Sequence, residues 1–453
     1  MQMSSPMGRE RCAPTAAPRL RMTTVARALA LAAALAVGVA PGARAADGEC
    51  EMTGGAGVEP RGVLTPRAAA AAALLGNPRL AAHSCELRAR DARILQAGLP
   101  ANPDLRVEVE NVAGSGVRAG DEQAETTLLV SQLFELGGKR ARRRRVAELE
   151  RELAEWDYEE ARVVVLADTA KAFVRALGAE ARLALAVELE AAADETARGV
   201  GARVDAGAAA PSDLGRARVA RGRAAAERRR LAYERAGAFA HLAALWGGAE
   251  PAFTGVEGPW AEPGPPPARE NLLARVGRSP ELARWETERA ERRAVLGLEK
   301  AGRVPDVALG AGGRYFSDNG DGALVFELSL PLPLLDRNQG AIAAARARLA
   351  KVDAERAAAE RAVRAAVTAA HARLAAAHEE VALLRAEVLP AARAALAEAR
   401  RGFGEGALGF MDLIDAQRAL FAVRADEIRA LERLHLAAVE IDRLTGAGAE
   451  DGR

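Results

Sequence analysis

A short segment that closes one very long helical run and opens another occurs twice in this chain, and it constrains the fold more than any other feature. The later copy is Gly406-Ala-Leu408-Gly-Phe-Met-Asp412-Leu-Ile-Asp415, and the earlier is Gly207-Ala-Ala-Ala-Pro-Ser-Asp213-Leu. In each, a glycine stands six residues before an aspartate that is followed by leucine. The flanking runs are rich in Ala, Arg, Glu and Leu, and only 4% of the 453 residues are aromatic. Such runs pack through small side chains rather than around thick aromatic cores. A duplicated, elongated helical protein is expected.

The repeat extends beyond the tips. Asn77-Pro78-Arg-Leu80 is echoed by Ser279-Pro280-Glu-Leu282, and Pro103-Asp104-Leu105 by Pro305-Asp306-Val307. Both echoes lie 202 residues apart (78 to 280, 103 to 305), and the tip aspartates lie 199 apart (213 to 412). A fixed long period with the same order of elements marks a structural duplication.

Each copy reads alike. In the first, a helical run spans residues 65–97 with a break at Asn77-Pro78, and Thr65-Pro66 supplies a cap and an N-terminal proline. The period then changes from 3.6 to 2. Leu105, Val107 and Val109 alternate with charged residues, and 126–134 alternates again with Leu128 and Val130 on one side. A polar Gly-rich segment, 113–123, joins the two. A helix of about 65 residues follows from Lys139, then the first tip, then a helix from Ser212 to Trp246. The second copy has strands at 306–314 and 324–330, a polar turn at 317–322, a helix at about 338–403, the second tip and a helix at 411–444. Leu324, Phe326, Leu328 and Leu330 fall on one side of the last strand. About ten residues per strand suits a tilted membrane strand. The resulting organisation is a first repeat at 46–256, a Pro-rich linker at 257–268, a second repeat at 269–446 and a tail at 447–453.

Residues 1–45 read as a secretory signal. Arg19, Arg21 and Arg27 precede a thirteen-residue apolar stretch, Ala28–Ala40, too short to span a bilayer, and Ala43 and Ala45 suit a signal peptidase. Removing this segment takes away six Arg and one Glu and moves the formal charge from +1 to −4. Cys50 lacks the preceding small residue expected of a lipidated cysteine, and pairing of Cys50 with Cys85 in an oxidising compartment stays open.

Four strands per chain cannot close a membrane barrel, whose smallest versions have about eight. The chain must therefore oligomerise, and a trimer supplies twelve strands and twelve helical columns. The expected fold is mainly α with a pair of transmembrane β-hairpins per chain, a duplicated long-helix α-barrel beneath a shared β-barrel.

With these segments in order, the chain resembles the TolC-like outer membrane factor family over essentially its whole mature length. The resemblance rests on the duplicated order of elements, on Val130-Ser-Gln-Leu-Phe-Glu-Leu-Gly-Gly-Lys-Arg140 and on the two tips. Asn102-Pro-Asp-Leu-Arg-Val-Glu-Val-Glu-Asn111 together with Glu135-Leu-Gly-Gly-Lys-Arg140 looks most like the heavy-metal branch, which works with cation-exporting RND pumps. The resemblance implies a homotrimeric outer-membrane conduit with a large periplasmic portion, partnered by a periplasmic adaptor and an inner-membrane RND-type pump. It places Asp412 and Asp415 at a periplasmic gate, and Gly207, Asp213, Gly406 and Leu408 at adaptor-docking tips. It assigns Leu105, Val107, Val109, Leu128, Val130, Leu324, Phe326, Leu328 and Leu330 to membrane strands. No cofactor is implied. Heavy-metal cations are the expected cargo; drug or organic-solute efflux, type I secretion and a non-transporting trimeric stalk or adhesin are the alternatives.

The residues themselves leave some roles open. Asp412 and Asp415, three apart, share a helix face, so they suit either a cation-attracting ring or an ordinary helix N-terminus. Gly207 and Gly406 suit docking or simply the positive φ that ends a helix. The run Lys139-Arg-Ala-Arg-Arg-Arg-Arg145 suits lipid phosphates or salt bridges to Glu148, Glu150 and Glu152; balanced charge in a secreted chain argues against nucleic acid. His371 and His378 share a face and read as interhelical polar residues, since no carboxylate or cysteine completes a metal site. No nucleophile and base pair suggests an enzyme.

Overall fold

The computed structural model describes residues 59–260 and 264–446, so the signal segment, Cys50 and the tail lie outside the described residues. Cys85 is disulfide-bonded.

The described chain divides into two compact units, each built from both repeats. Residues 99–140 and 301–337 form one, and the remainder form the other. The first contains a single four-stranded antiparallel sheet. Its strands are β2 (Asp104–Glu110), β3 (Glu125–Phe134), β5 (Val307–Phe316) and β6 (Gly322–Ser329), in the order β2-β3-β5-β6. The central pair, β3 and β5, joins the hairpin of one repeat to that of the other, leaving β2 and β6 as outer edges.

The second unit is helical. It contains α1 (Pro66–Gly76), α2 (Pro78–Gly98), the body of α3 (Lys139–Asp205), α4 (Pro211–Ala244), the short α5 (Arg269–Arg275), α6 (Pro280–Ala301), α7 (Gln339–Leu383), α8 (Leu389–Glu405) and α9 (Phe410–Thr445). At 1.5 Å per residue, α3 alone is about 100 Å long. Its bounds follow from the chain: Gly137 and Gly138 adopt positive φ before it, and Gly207 does so after it.

What buries these helices is a seven-residue rhythm of small side chains. Along α3, Val165, Ala172, Ala179, Ala186, Ala193 and Val200 are all buried. Along α4 the series is Ala217, Ala224 and Leu231, and along α9 it is Ala430, Ala437 and Leu444. A strict heptad keeps one seam facing its neighbour and winds helices left-handedly around each other. Alanine in that seam lets the backbones approach closely, which explains how so few aromatics suffice. The aromatics that exist are concentrated: Phe173, Phe239, Trp246 and Phe253 close one core cluster around Leu64.

Pro78 and Pro280 both begin helices, and the echoed Leu80 and Leu282 are both buried, so the 202-residue repeat is structural. The structure adds two elements that sequence did not show. A short parallel pair joins β1 (Gly62–Leu64) to β4 (Phe253–Val256). The linker is also anchored at both ends. Trp260 stacks on His435, ring centroids 5.6 Å apart, and His371 Nε2 lies 3.1 Å from the Pro267 carbonyl oxygen.

The expected continuous helix over 338–403 is interrupted. Residues Leu384–Val388 form a π-turn, closed by the Leu389 N–H bonding back to the Leu384 carbonyl. Pro390 is the cause: it has no N–H to donate, and its ring would strike the carbonyl four residues earlier, so the helix widens there.

Candidate functional site

The two tips close by the same backbone mechanism. In the first, the Ala208 N–H bonds the Arg203 carbonyl at 2.7 Å while Gly207 takes φ +70°. In the second, the Ala407 N–H bonds the Gly402 carbonyl at 2.8 Å while Gly406 takes φ +76°. A left-handed residue with a six-to-one bond is the usual glycine helix stop. A Cβ added to either glycine would meet nothing within 4 Å, so φ alone demands glycine and the surface beside each is open.

The aspartates differ. Asp412 Oδ2 accepts the Gly409 N–H at 2.9 Å, the third-residue half of a capping box. Asp213, in the matching place, is paired with Arg216 at 3.4 Å. Asp415 is exposed and has Arg418 at 3.6 Å. Asp412 and Asp415 share the exposed face of α9, opposite the buried Leu413, Ile414 and Gln417.

Sequence reasoning missed two tip residues, Gly402 and Arg203. Leu408 folds back over Gly402, where an added Cβ would lie 2.7 Å from the leucine Cγ; the local signal was Gly-Phe-Gly-Glu-Gly over 402–406. Arg203, at the end of α3, reaches into the other tip. Its Nη1 donates to the Phe403 carbonyl at 2.6 Å, and its guanidinium carbon sits 4.5 Å from the Phe403 ring centroid. A cation at the C-terminal end of α8 also complements that helix's dipole. Around this link Val200, Val204, Leu214, Phe403, Phe410 and Ile414 share one hydrophobic cluster. The two tips are thus locked together, although 199 residues separate their aspartates.

The sheet supplies the second site. Directly opposed residues share a face. The registers place Leu105, Val107 and Val109 with Val130 and Leu128, then Leu309, then Leu328, Phe326 and Leu324, on one face. Leu324 and Phe326 are 81% and 79% exposed, so this apolar face is uncovered. Leu330 lies just beyond β6.

The opposite face is charged. Arg314 pairs with Glu125 at 2.9 Å and Glu110 at 3.4 Å, and Arg106 pairs with Glu327 at 3.2 Å. Arg106 and Glu327 stand on opposite edge strands, about 14 Å apart in a flat sheet at three strand spacings. Their contact requires the charged face to be concave. Glycine permits the bend: on that face, a Cβ at Gly312 would lie 2.0 Å from the Leu128 carbonyl oxygen.

The basic run is taken up locally. Lys139 pairs with Asp306 at 2.8 Å, Arg144 and Arg145 with Glu148 at 3.1 and 3.3 Å, and Arg145 with Glu152 at 3.4 Å. Glu150 pairs instead with Arg90 at 3.1 Å. Farther along, Glu440 receives Lys171 at 2.5 Å and Arg443 at 2.8 Å. Burial pushes the Glu440 pKa up, but those two donors outweigh it and hold the carboxyl below its ordinary range. Glu291 is nearly fully buried, and that burial pushes its carboxyl pKa up despite Arg292 at 3.1 Å.

Comparison with known proteins agrees with this architecture. The outer membrane efflux protein family matches residues 69–248 and 274–447, one stretch in each repeat. The cobalt-zinc-cadmium resistance protein CzcC of Cupriavidus metallidurans is 32% identical over 391 residues, covering 86% of this chain and 91% of the relative. The nickel-cobalt-cadmium resistance protein NccC of Alcaligenes xylosoxydans xylosoxydans is 31% identical over 293 residues, covering 63% and 66%. Among solved structures, CusC superposes with a TM-score of 0.69 at 18% identity, covering 84% of this chain and 91% of that one. A membrane protein from Pseudomonas aeruginosa superposes with 0.71 at 22% identity, covering 84% and 93%.

Proposed function

Because the chain belongs to the outer membrane efflux protein family, we propose that it is the outer-membrane duct of a tripartite system exporting heavy-metal cations, acting as a homotrimer with a periplasmic adaptor and an RND-type pump. One observation carries the trimeric duct. The four-stranded sheet has a continuous uncovered apolar face, a concave charged face and two open edges. Backbone groups at an open edge cannot be left unsatisfied in lipid, and four strands are too few to close. Three copies give twelve strands, with Leu105, Val107, Val109, Leu128, Val130, Leu324, Phe326, Leu328 and Leu330 toward lipid and the ion pairs toward the lumen.

Metal cargo is supported by the relative, which is a cobalt-zinc-cadmium resistance protein. The duct binds no cofactor in this reading and performs no reaction. Its selectivity comes from acidic rings: three copies of Asp412 and Asp415 would set six carboxylates around one opening, attracting cations and repelling anions. Gly207, Asp213, Gly406 and Leu408 present the adaptor-docking surface beside that opening.

Deleting the gene tests the cargo. Tolerance to cobalt, zinc and cadmium is expected to fall and to return with a plasmid copy. Unchanged metal tolerance with lost tolerance to organic toxicants would replace metals by drugs. Cross-linking from Ala208 or Ala407 tests docking, and absence of any adaptor adduct would count against it.

A further inference from the structure

Cys85 lies in α2 and is disulfide-bonded. The chain has two other cysteines, Cys12 and Cys50, both outside the described residues. Cys12 stands ahead of Arg19, Arg21 and Arg27, in the basic end of the leader. That end of a secretory signal stays on the cytoplasmic side, where thiols are kept reduced. Cys50 follows the expected cleavage point at Ala45 and travels with the mature chain into an oxidising compartment.

We propose that Cys85 is joined to Cys50, so that the mature N-terminal segment is strapped to α2 by a covalent bond instead of being anchored by lipid. This rests on the secretory reading of residues 1–45.

The geometry gives the strap its reach. The first described residue, Glu59, lies beside Gly248 and the Trp246 indole: a Cβ added to Gly248 would stand 3.2 Å from Glu59 Oε1 and 3.3 Å from Trp246 Nε1. The Trp246 backbone is in turn pressed on the end of α1, where a Cβ at Gly76 would lie 2.6 Å from the Trp246 carbonyl oxygen. Asn77 Nδ2 donates to the Leu245 carbonyl at 2.7 Å, and α2 begins at the next residue, Pro78. Glu59 is therefore fixed near the start of α2. Pro78 to Cys85 is about 10 Å of helix rise. The stretch from Cys50 to Glu59 can span about 30 Å when extended, well beyond that distance.

The repeat shows what the bond replaces. At the 202-residue offset that relates Leu80 to Leu282, Cys85 corresponds to Thr287 of α6. Thr287 Oγ1 accepts the Trp156 indole N–H at 3.1 Å, which pins α6 to α3. A cysteine sulfur is only a weak acceptor, so the first repeat lacks that pin. It needs one: of the 21 residues of α2 only Leu80 is fully buried. The ion pairs of α2 to α3, Arg90 with Glu150 and Asp91 with Arg151, are partly exposed and worth little. A disulfide at position 85 ties the helix covalently and closes a loop that contains β1 and α1.

The chemistry is a thiol–disulfide exchange. Two S–H bonds are lost and one S–S bond forms; the two protons and two electrons pass to the disulfide of a periplasmic oxidase, which leaves as a dithiol. A sulfur held in a disulfide cannot carry the thioether of a diacylglyceryl group, so the strap and a lipid anchor at Cys50 exclude each other. With both sulfurs oxidised, the mature chain offers no thiolate to a soft cation in transit.

The test takes full-length protein from outer membranes, blocks free thiols with iodoacetamide, digests with trypsin without reductant and weighs the peptides. Ala46–Arg61 and Leu80–Arg88 are expected as one species, lighter than their sum by two hydrogens and separating on reduction. Alkylated Cys50 and Cys85, a diacylglyceryl group on Cys50, or two copies of Leu80–Arg88 joined to each other would each overturn the pairing. Linkage of Leu80–Arg88 to Cys12–Arg19 would overturn it together with the secretory reading, because the leader is then retained. Cys50→Ser, Cys85→Ser and the double variant are expected to lower the thermal midpoint equally. Variants that leave the midpoint unchanged, or whose effects add, contradict a shared strap.

Discussion

Replacing Arg203 by alanine unlocks one tip from the other. The side chain contributes a hydrogen bond from a charged donor to the Phe403 carbonyl and a cation–π contact with the same residue's ring. A charged hydrogen bond is worth about 1.5–3 kcal/mol, and an exposed cation–π contact about 0.5–1 kcal/mol. Arg203 is half-buried, so about 2 kcal/mol of local stability is expected to go, which speeds local opening roughly 30-fold. The reporters are the amides of Gly406, Ala407 and Leu408, whose acceptors are the Phe403 and Gly402 carbonyls. Hydrogen exchange of these amides is expected to accelerate about 30-fold, with amides in the middle of α3 unchanged. Arg203→Lys keeps the charge but loses the planar fork, and is expected to fall between the two. If the tip amides exchange at the same rate in Arg203→Ala, the two tips are not coupled through this side chain.

Other consequences follow from single sites. Asp412→Ala removes the third-residue half of the capping box, costing roughly 0.3–1.5 kcal/mol, and the double change of Asp412 and Asp415 to alanine is expected to weaken divalent block of single channels; unchanged block would remove these residues from the gate. Gly312→Ala is expected to prevent assembly, because its Cβ meets the Leu128 carbonyl, while Gly313→Ala, whose nearest neighbour is at 3.8 Å, is tolerated; heat-modifiable gel mobility distinguishes them. Glu440, held below its ordinary value of 4.5, stabilises the folded state above that pH and loses this contribution as pH falls through the lowered value. Glu440→Gln should therefore flatten the acid limb of a thermal-midpoint titration. Glu291 has the opposite sign: its charged form is disfavoured by burial, so Glu291→Gln is expected to raise the midpoint more at neutral pH than at acid pH.

Much of the architecture was written in local pattern. The bounds of α3 are marked by Gly137, Gly138 and Gly207, and the strand faces by strict alternation, so both were legible. Short-range chemistry without period was not. β1 and β4 are three and four residues long, too brief to show alternation. The π-turn was signalled by Pro390, yet the apolar rhythm continues through it and conceals the break. Contacts between distant segments left no trace: Arg203 reads as one more arginine on a charged helix until Phe403 is placed beside it. The curvature that brings Arg106 to Glu327 likewise needs three strand registers at once.

The number of chains in the detergent-extracted particle, counted by native mass spectrometry, tests the central claim most directly. Three chains are predicted, which makes twelve strands from four per chain and leaves no open edge. A stable particle of one chain, or of two with only eight strands, would contradict a trimeric duct and with it the acidic gate built from three tips.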